Sequence, residues 1–203
     1  MILPTLKFLA DEFSKYVDSK RDQATADAGG SLGLVGNAAL LFDAEQESTI
    51  KDKVIFTLVN LEEDRASRPP LNLTKRAGAA VYELPPILLN LYVLATATHK
   101  KYDEGLGVLG HVIAFFQHNK HFNTSTHPSL PTDIKELSVE LYTMNFEQVN
   151  HLWSTLGGKY MPSVLYKVRN LSISEHLILG EARRIEEIVV HPGLIARRGG
   201  GSP

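Results

Sequence analysis

The apolar positions of the chain fall into short blocks whose spacing predicts helices and strands in mixed order. From Thr5 to Asp18, Leu6, Leu9, Phe13, Tyr16 and Val17 recur at helical spacing on one face. Pro4 stands in the first turn, where proline is tolerated. Residues 19–37 are polar, small and glycine-rich, which predicts a loop, and Ala38–Phe42 reads as a short strand. Val54–Leu61 is apolar at nearly every position, the pattern of a strand buried on both faces, and it ends abruptly in Glu62-Glu63-Asp64-Arg65. Ala66–Glu83, broken by Pro69, Pro70 and Gly78, reads as a long connection. Pro85-Pro86 then introduces a second apolar run, Ile87–Ala97, predicted as another strand.

Downstream the period changes twice. Tyr102–Asn119 is helical in pattern, with Leu106, Leu109, Val112, Ile113 and Phe116 on a shared face. Phe122–Thr132 is a polar, proline-containing loop. Ile134–Met144 alternates, with Leu137, Val139 and Leu141 set against Glu136, Ser138 and Glu140, so one face of that strand is exposed or used at an interface. Asn145 is placed to cap a short helix over Phe146–Leu156 that Gly157 stops, with Val149, Leu152, Trp153 and Leu156 inward. Ser163–Ile173 alternates again, Val164, Tyr166 and Val168 against Lys167 and Arg169. After Ser174 the texture shifts. Leu177–Leu179 is a short apolar patch, Arg183–Val190 is amphiphilic, and the tail from Arg197 is expected to be disordered. The order of elements predicts an α/β (α+β) fold, a mixed sheet of four or more strands with flanking helices. The expected division is an α/β domain over residues 1–173 and a C-terminal extension, partly disordered, over 174–203.

Composition narrows the function classes. The chain has 203 residues, 43% of them apolar and 22% charged, within the range of globular domains. A formal net charge of -2 supplies no broad basic field for nucleic acid or an anionic membrane. The absence of cysteine excludes disulfides, thiolate metal sites and a cysteine nucleophile. No stretch approaches the roughly 18 apolar residues of a membrane span. Met1-Ile2-Leu3-Pro4 carries no basic segment and Lys7, Asp11 and Glu12 interrupt any apolar leader, so the chain is expected to stay in the cytoplasm where it is made.

Several stretches invite chemistry. Gly105-Leu106-Gly107-Val108-Leu109-Gly110 is a literal GxGxxG, the signature of a nucleotide-binding enzyme. A dinucleotide site needs its first glycine directly after a strand, at a helix N-terminus. Here residues 99–104 intervene, with Asp103 and Glu104 set to repel phosphate, so the stretch reads as a helix whose glycines allow close packing. His118, His121 and His127 lie near one another in sequence, but one ends a helix and one sits in a proline-bounded loop, so they read as solvated loop histidines. No HExxH pair occurs. Glu62, Glu63 and Asp64 offer carboxylates, yet neighbours in an extended chain point to opposite sides and do not converge. They read as a solvated cluster ending a strand, or as part of an interface. Trp153, the single tryptophan, reads as core, with an aromatic anchor in a subunit contact as the alternative.

Certain pieces in this order carry a family resemblance. They are Phe8-Leu9-Ala10-Asp11-Glu12-Phe13; Phe56-Thr57-Leu58-Val59-Asn60-Leu61-Glu62-Glu63-Asp64; Pro86–Ala97, followed by Tyr102-Asp103-Glu104-Gly105-Leu106 and Val112–Gln117; Leu152–Gly157; and Tyr160–Arg169. Together, over roughly residues 5–175, the chain resembles the cap, or tail-terminator, proteins of extracellular contractile injection systems, which are phage-tail-like particles. A phage-like neck or terminator protein of another particle is the neighbouring alternative.

The resemblance implies a structural role. Such proteins form a hexameric ring at the end of the inner tube distal to the baseplate, end tube polymerisation and anchor the last sheath layer. The implied partners are further copies of the chain, the inner tube protein and the sheath protein, with no nucleic acid, no membrane span, no cofactor, no metal and no catalysis. The implied location is the cytoplasm during assembly, then a contractile particle that can be released. Glu62, Glu63 and Arg65 are expected at a polar rim where subunits meet. Ile185, Ile188 and Val190, outside the apparent core, are expected to join a neighbour by strand addition.

Overall fold

The computed structural model describes residues 1–20, 32–41, 47–66, 72–76, 79–83, 85–157, 159–173 and 178–181. By compactness the chain separates into two units, Met1–Arg68 with Pro86–Ser174, and Pro69–Pro85 with Glu175–Pro203. The first is built on a six-stranded sheet, order β1-β2-β5-β8-β7-β6. Its strands are β1 (Gly33–Val35), β2 (Val54–Glu63), β5 (Ile87–Ala97), β6 (His121–Asn123), β7 (Glu136–Tyr142) and β8 (Ser163–Ile173). Only β1 and β2 run parallel; the other neighbours are antiparallel. The fold is thus a mixed α+β sheet with flanking helices, as the order of elements predicts.

Alternation along the strands separates two faces. On one face α1 (Ile2–Lys20) and α3 (Tyr102–His118) cover Val54, Phe56, Leu91, Val93, Ala95, Leu137, Val139, Tyr166 and Val168, all in one core cluster. Phe13 of α1 is the centre of that cluster: it is fully buried and meets Phe56 and Phe115 edge-on, each at 5.9 Å between ring centroids. On the other face α4 (Phe146–Thr155) and a 3-10 turn (Ala38–Leu40) close a smaller cluster of Ala38, Leu94, Trp153 and Leu165.

α4 follows its sequence signals. The Asn145 side chain accepts from the Gln148 amide at 2.8 Å, and Gln148 Oε1 accepts from the Asn145 amide at 2.9 Å. This reciprocal pair satisfies two amides that the first turn leaves open. Gly157 follows at φ +67°, a conformation that costs glycine nothing.

Other segments depart from the sequence pattern. Of the strand expected at Ala38–Phe42, Ala38–Leu40 form the 3-10 turn, held by Asn37 Oδ1 accepting from the Ala39 amide, and Phe42 lies outside the described residues; the neighbouring strand β1 forms inside the predicted loop. β1 has only three residues and carries no periodicity; parallel pairing with β2 and packing against α1 determine it. α1 can approach because residue 33 is glycine: a Cβ there would stand 2.6 Å from the Ala10 carbonyl oxygen and 3.2 Å from Phe13 Cδ1. Gly33→Ala is therefore expected to cost about 1–3 kcal/mol, as overpacking does, measured as a drop in denaturant midpoint. A neutral substitution would show that α1 is not held this closely.

Phe122, expected in a polar loop, is fully buried in β6, its ring 5.4 Å from Phe8. The buried stripe of α3 is Gly105, Val112, Phe115 and Phe116, while Leu106 and Ile113 are 45% and 41% exposed. Of the face expected from sequence, Val112 and Phe116 are therefore buried while Leu106 and Ile113 are not, and Phe115 joins the buried side instead.

The predicted connection Ala66–Glu83 contains two strands of the second unit, β3 (Asn72–Arg76) and β4 (Ala79–Glu83), paired antiparallel. The apolar patch after Ser174 supplies β9 (Ile178–Glu181), which pairs with β4 and completes a three-stranded sheet, order β3-β4-β9. Among the described residues no helix is long and apolar enough to cross a membrane.

Candidate interaction surface

The sheet face opposite α1 and α3 is covered only in part by α4. A band of polar side chains from four strands crosses it, and the predicted acidic junction lies there. β2 does not stop at Leu61: it runs through Glu62 and Glu63, paired with Asn90 and Leu89, and the Asp64 amide donates to the Leu88 carbonyl at 2.8 Å. Backbone pairing with β5 carries the strand past its last apolar residue, because exposed side chains do not interrupt a ladder. An irregularity between Leu58 and Asn60 gives β2 one extra residue, Val59; beyond it the alternation is reset, so Asn60 and Glu62 fall on the face of Tyr92 and not on that of Phe56 and Leu58.

Glu62 is the hub of the band. The Tyr92 hydroxyl donates to Glu62 Oε2 at 2.6 Å and the Lys167 ammonium donates to the same oxygen at 2.8 Å. Register brings them together: Asn60 and Lys167 both pair with Tyr92, so Glu62 lies on the diagonal. The Lys167 ammonium also stands 5.2 Å from the Tyr92 ring centroid. The hydrogen bond from Lys167, then that from Tyr92, holds the Glu62 carboxyl below its ordinary range. The same carboxylate raises the Lys167 ammonium and the Tyr92 phenol above theirs. At neutral pH the cluster is one anion, one cation and a neutral phenol. Next to it Arg169 Nε lies 3.5 Å from Glu140 Oε2, and the Tyr92 and Tyr142 rings meet edge-on at 5.2 Å. Water screens these exposed pairs, so they order the surface more than they stabilise the fold.

Of the residues expected at a rim, Glu62 thus belongs to a cross-strand cluster. Glu63 pairs with Arg65 through Oε2 and Nε at 3.0 Å, and the Arg65 side chain is 84% exposed. The carboxylates do not converge into an acid–base pair. Ile185, Ile188 and Val190 lie outside the described residues. Tyr92, Lys167, Glu140 and Arg169 were not singled out from sequence; the alternation of β7 and β8 marks their face, but only register shows the partners.

A second feature of this face is the groove beside α4, about 620 Å³, lined by Met144, Phe146, Val149, Trp153 and Tyr160 among others. Phe146 is spaced three and seven residues from Val149 and Trp153, which would place it on the inward stripe, yet it is 96% exposed. Trp153 is 4% exposed, and its buried indole Nε1 has no hydrogen-bond partner among the described residues.

The glycine motif forms no phosphate cradle. Gly105, Gly107 and Gly110 all lie inside α3, not in a turn between strand and helix. The close-packing reading fails as well for two of them, since a Cβ at Gly107 or Gly110 would meet nothing within 4 Å. Of the three histidines, His127 is not simply solvated: its ring lies 4.7 Å from Phe122 and 6.2 Å from Phe8. Among the described residues, no three histidine or carboxylate side chains gather as metal ligands would.

Comparison with known proteins agrees with this geometry. A family model described as the Pvc16 N-terminal domain matches residues 7–187. A cryo-EM structure of the sheath/tube terminator of an extracellular contractile injection system, PVC, in the extended state, superposes with a TM-score of 0.58 at 14% identity. The match covers 98% of this chain and 65% of that one. A cryo-EM structure of the anti-feeding prophage cap, a tube-terminating cap, superposes with a TM-score of 0.51 at 16% identity, over 68% of this chain and 49% of that one. The chain therefore spans less than two thirds of the length of either structure. No curated protein sequence matches it.

Proposed function

Because the chain belongs to the Pvc16 N-terminal domain family, we propose that it is the cap, or terminator, of a contractile injection system, ending inner-tube polymerisation and anchoring the last sheath layer. The observation that carries this reading is the superposition of nearly the whole chain, 98%, on a sheath/tube terminator. The role is structural and uses no catalysis and no cofactor. The open sheet face fits it: a band of fixed charge pairs beside an apolar groove is a surface for meeting protein.

The partners are further copies of the chain in a homo-hexameric ring, the inner tube protein and the sheath protein. The chain is assembled in the cytoplasm and becomes part of the particle. A tube end presents a ring of identical subunit ends. A cap of matching symmetry repeats one modest contact at each of them, and the contacts add through avidity. Glu62, Glu63 and Arg65 form the polar rim between neighbouring subunits. Ile185, Ile188 and Val190 hold sheath by strand addition.

The test is recovery of the purified chain on inner tubes, quantified by mass. Six copies at one tube end support the cap, and failure to co-purify with tubes overturns it. Removing residues 174–203 separates the two roles. It takes β9 from β4 but leaves untouched the core cluster under α1 and α3. The truncated chain should still cap tubes and should lose sheath; normal sheath retention would refute the strand-addition step.

A further inference from the structure

The outer edge of β7 is covered over part of its length only. β6 pairs with residues 136–138 of β7, and the Val139 amide donates to the Lys120 carbonyl at 2.8 Å. Main-chain groups of alternate residues in an antiparallel strand point to the same side. Those of Leu141, two residues further on, therefore face the same edge at a point where β6 has ended. On the other side β7 stays paired with β8 as far as Tyr142, so the strand is held firmly with one side free, among the described residues, at Leu141.

Next to this free edge is a groove of about 350 Å³, lined by Ile113, Phe116, Val139, Leu141 and Tyr166. Leu141 is 56% and Ile113 41% exposed, so both present apolar surface to solvent at the groove. Tyr166 is only 3% exposed, and its hydroxyl has no hydrogen-bond partner among the described residues. At the rim Lys120 is exposed, with no ion pair among the described residues.

We propose that this edge is a strand-docking site for a partner protein. An extended segment of the partner adds to β7 through the Leu141 main chain, places a β-branched side chain in the groove and sets a carboxylate against Lys120. Main-chain bonds supply affinity and the groove supplies selectivity. The charge argues against a second copy as occupant: two β7 edges paired together would bring lysine to the same seam as lysine. The site is independent of the terminator reading and stands or falls separately.

The probe is a fluorescein-labelled hexapeptide, Glu-Val-Thr-Val-Glu-Val, titrated into the full chain and followed by anisotropy and amide hydrogen exchange. Leu141→Pro removes the outward amide at an edge where no internal bond is lost. Ile113→Asp puts a charge into the groove, and it keeps the test open should the proline variant fail to fold. The expected result is slower exchange at the Leu141 amide on binding, with affinity reduced at least about tenfold, or about 1.4 kcal/mol, in each folded variant. Exchange at Leu141 that the peptide leaves unchanged, or affinity that neither variant alters, overturns the proposal. So does concentration-dependent self-association that Lys120→Glu strengthens, which would make a second copy the occupant.

Discussion

Phe13→Ala is expected to remove about 3–5 kcal/mol of folding stability, the range for deleting a fully buried aromatic side chain. The ring joins three elements: it lies in α1 and meets Phe56 of β2 and Phe115 of α3. It also borders β1, since the Cβ position of Gly33 is 3.2 Å from its Cδ1. Neighbours on several sides are fixed in strands and cannot collapse into the space, so the cavity persists and adds to the lost transfer free energy. Phe13→Leu retains most of the volume and should cost clearly less. Urea unfolding followed by circular dichroism measures both. A Phe13→Ala loss below about 1 kcal/mol would show that α1 is not anchored to the sheet as described.

The second large effect lies on the opposite face. Trp153→Ala is expected to cost about 3–5 kcal/mol, because the indole fills the cluster with Leu94 and Leu165 beneath α4. Trp153→Phe is expected to cost much less. The buried indole N–H has no acceptor among the described residues. Replacement by phenylalanine removes that unmet donor, which offsets part of the lost volume by about 1–3 kcal/mol. Because this is the only tryptophan, unfolding has to be followed by circular dichroism and not by fluorescence. A Trp153→Phe variant as unstable as Trp153→Ala would mean that the indole N–H has a partner.

How much of this was legible depended on whether the determining signal was local. β5 and β8 match their predicted bounds, Ile87–Ala97 and Ser163–Ile173, to the residue. Each is a run of apolar or alternating residues that local pattern alone defines. α4 was equally clear, because a capping side chain and a terminal glycine act within a few residues. β1 was not, since three residues without periodicity become a strand only through β2 and through the room that Gly33 leaves for α1. The β3–β4 hairpin was hidden by prolines and a glycine that read as loop, and its strand character depends on pairing. β2 was ended too early at Leu61 because the side-chain pattern stops there while the backbone ladder does not.

The surface shows the same division. Glu62 was identified from sequence, but its partner Lys167 is 105 residues away. No spacing rule predicts that contact; it follows from the register of β2, β5 and β8. Phe146 shows the converse, since its spacing matches the buried stripe of α4 while its side chain is exposed. The family resemblance drew on order and spacing over most of the chain. Pairwise chemistry played no part in it, which is why it reached the fold and the family but gave no map of the contacting residues.

The proposed role is tested most directly by the length of inner tubes assembled from purified tube protein with and without this chain, measured by electron microscopy. Capping requires that tubes grown with the chain be shorter and carry extra density at one end, while tubes grown without it lengthen freely. Equal length distributions, with the folded chain present in excess over tube ends, would contradict it.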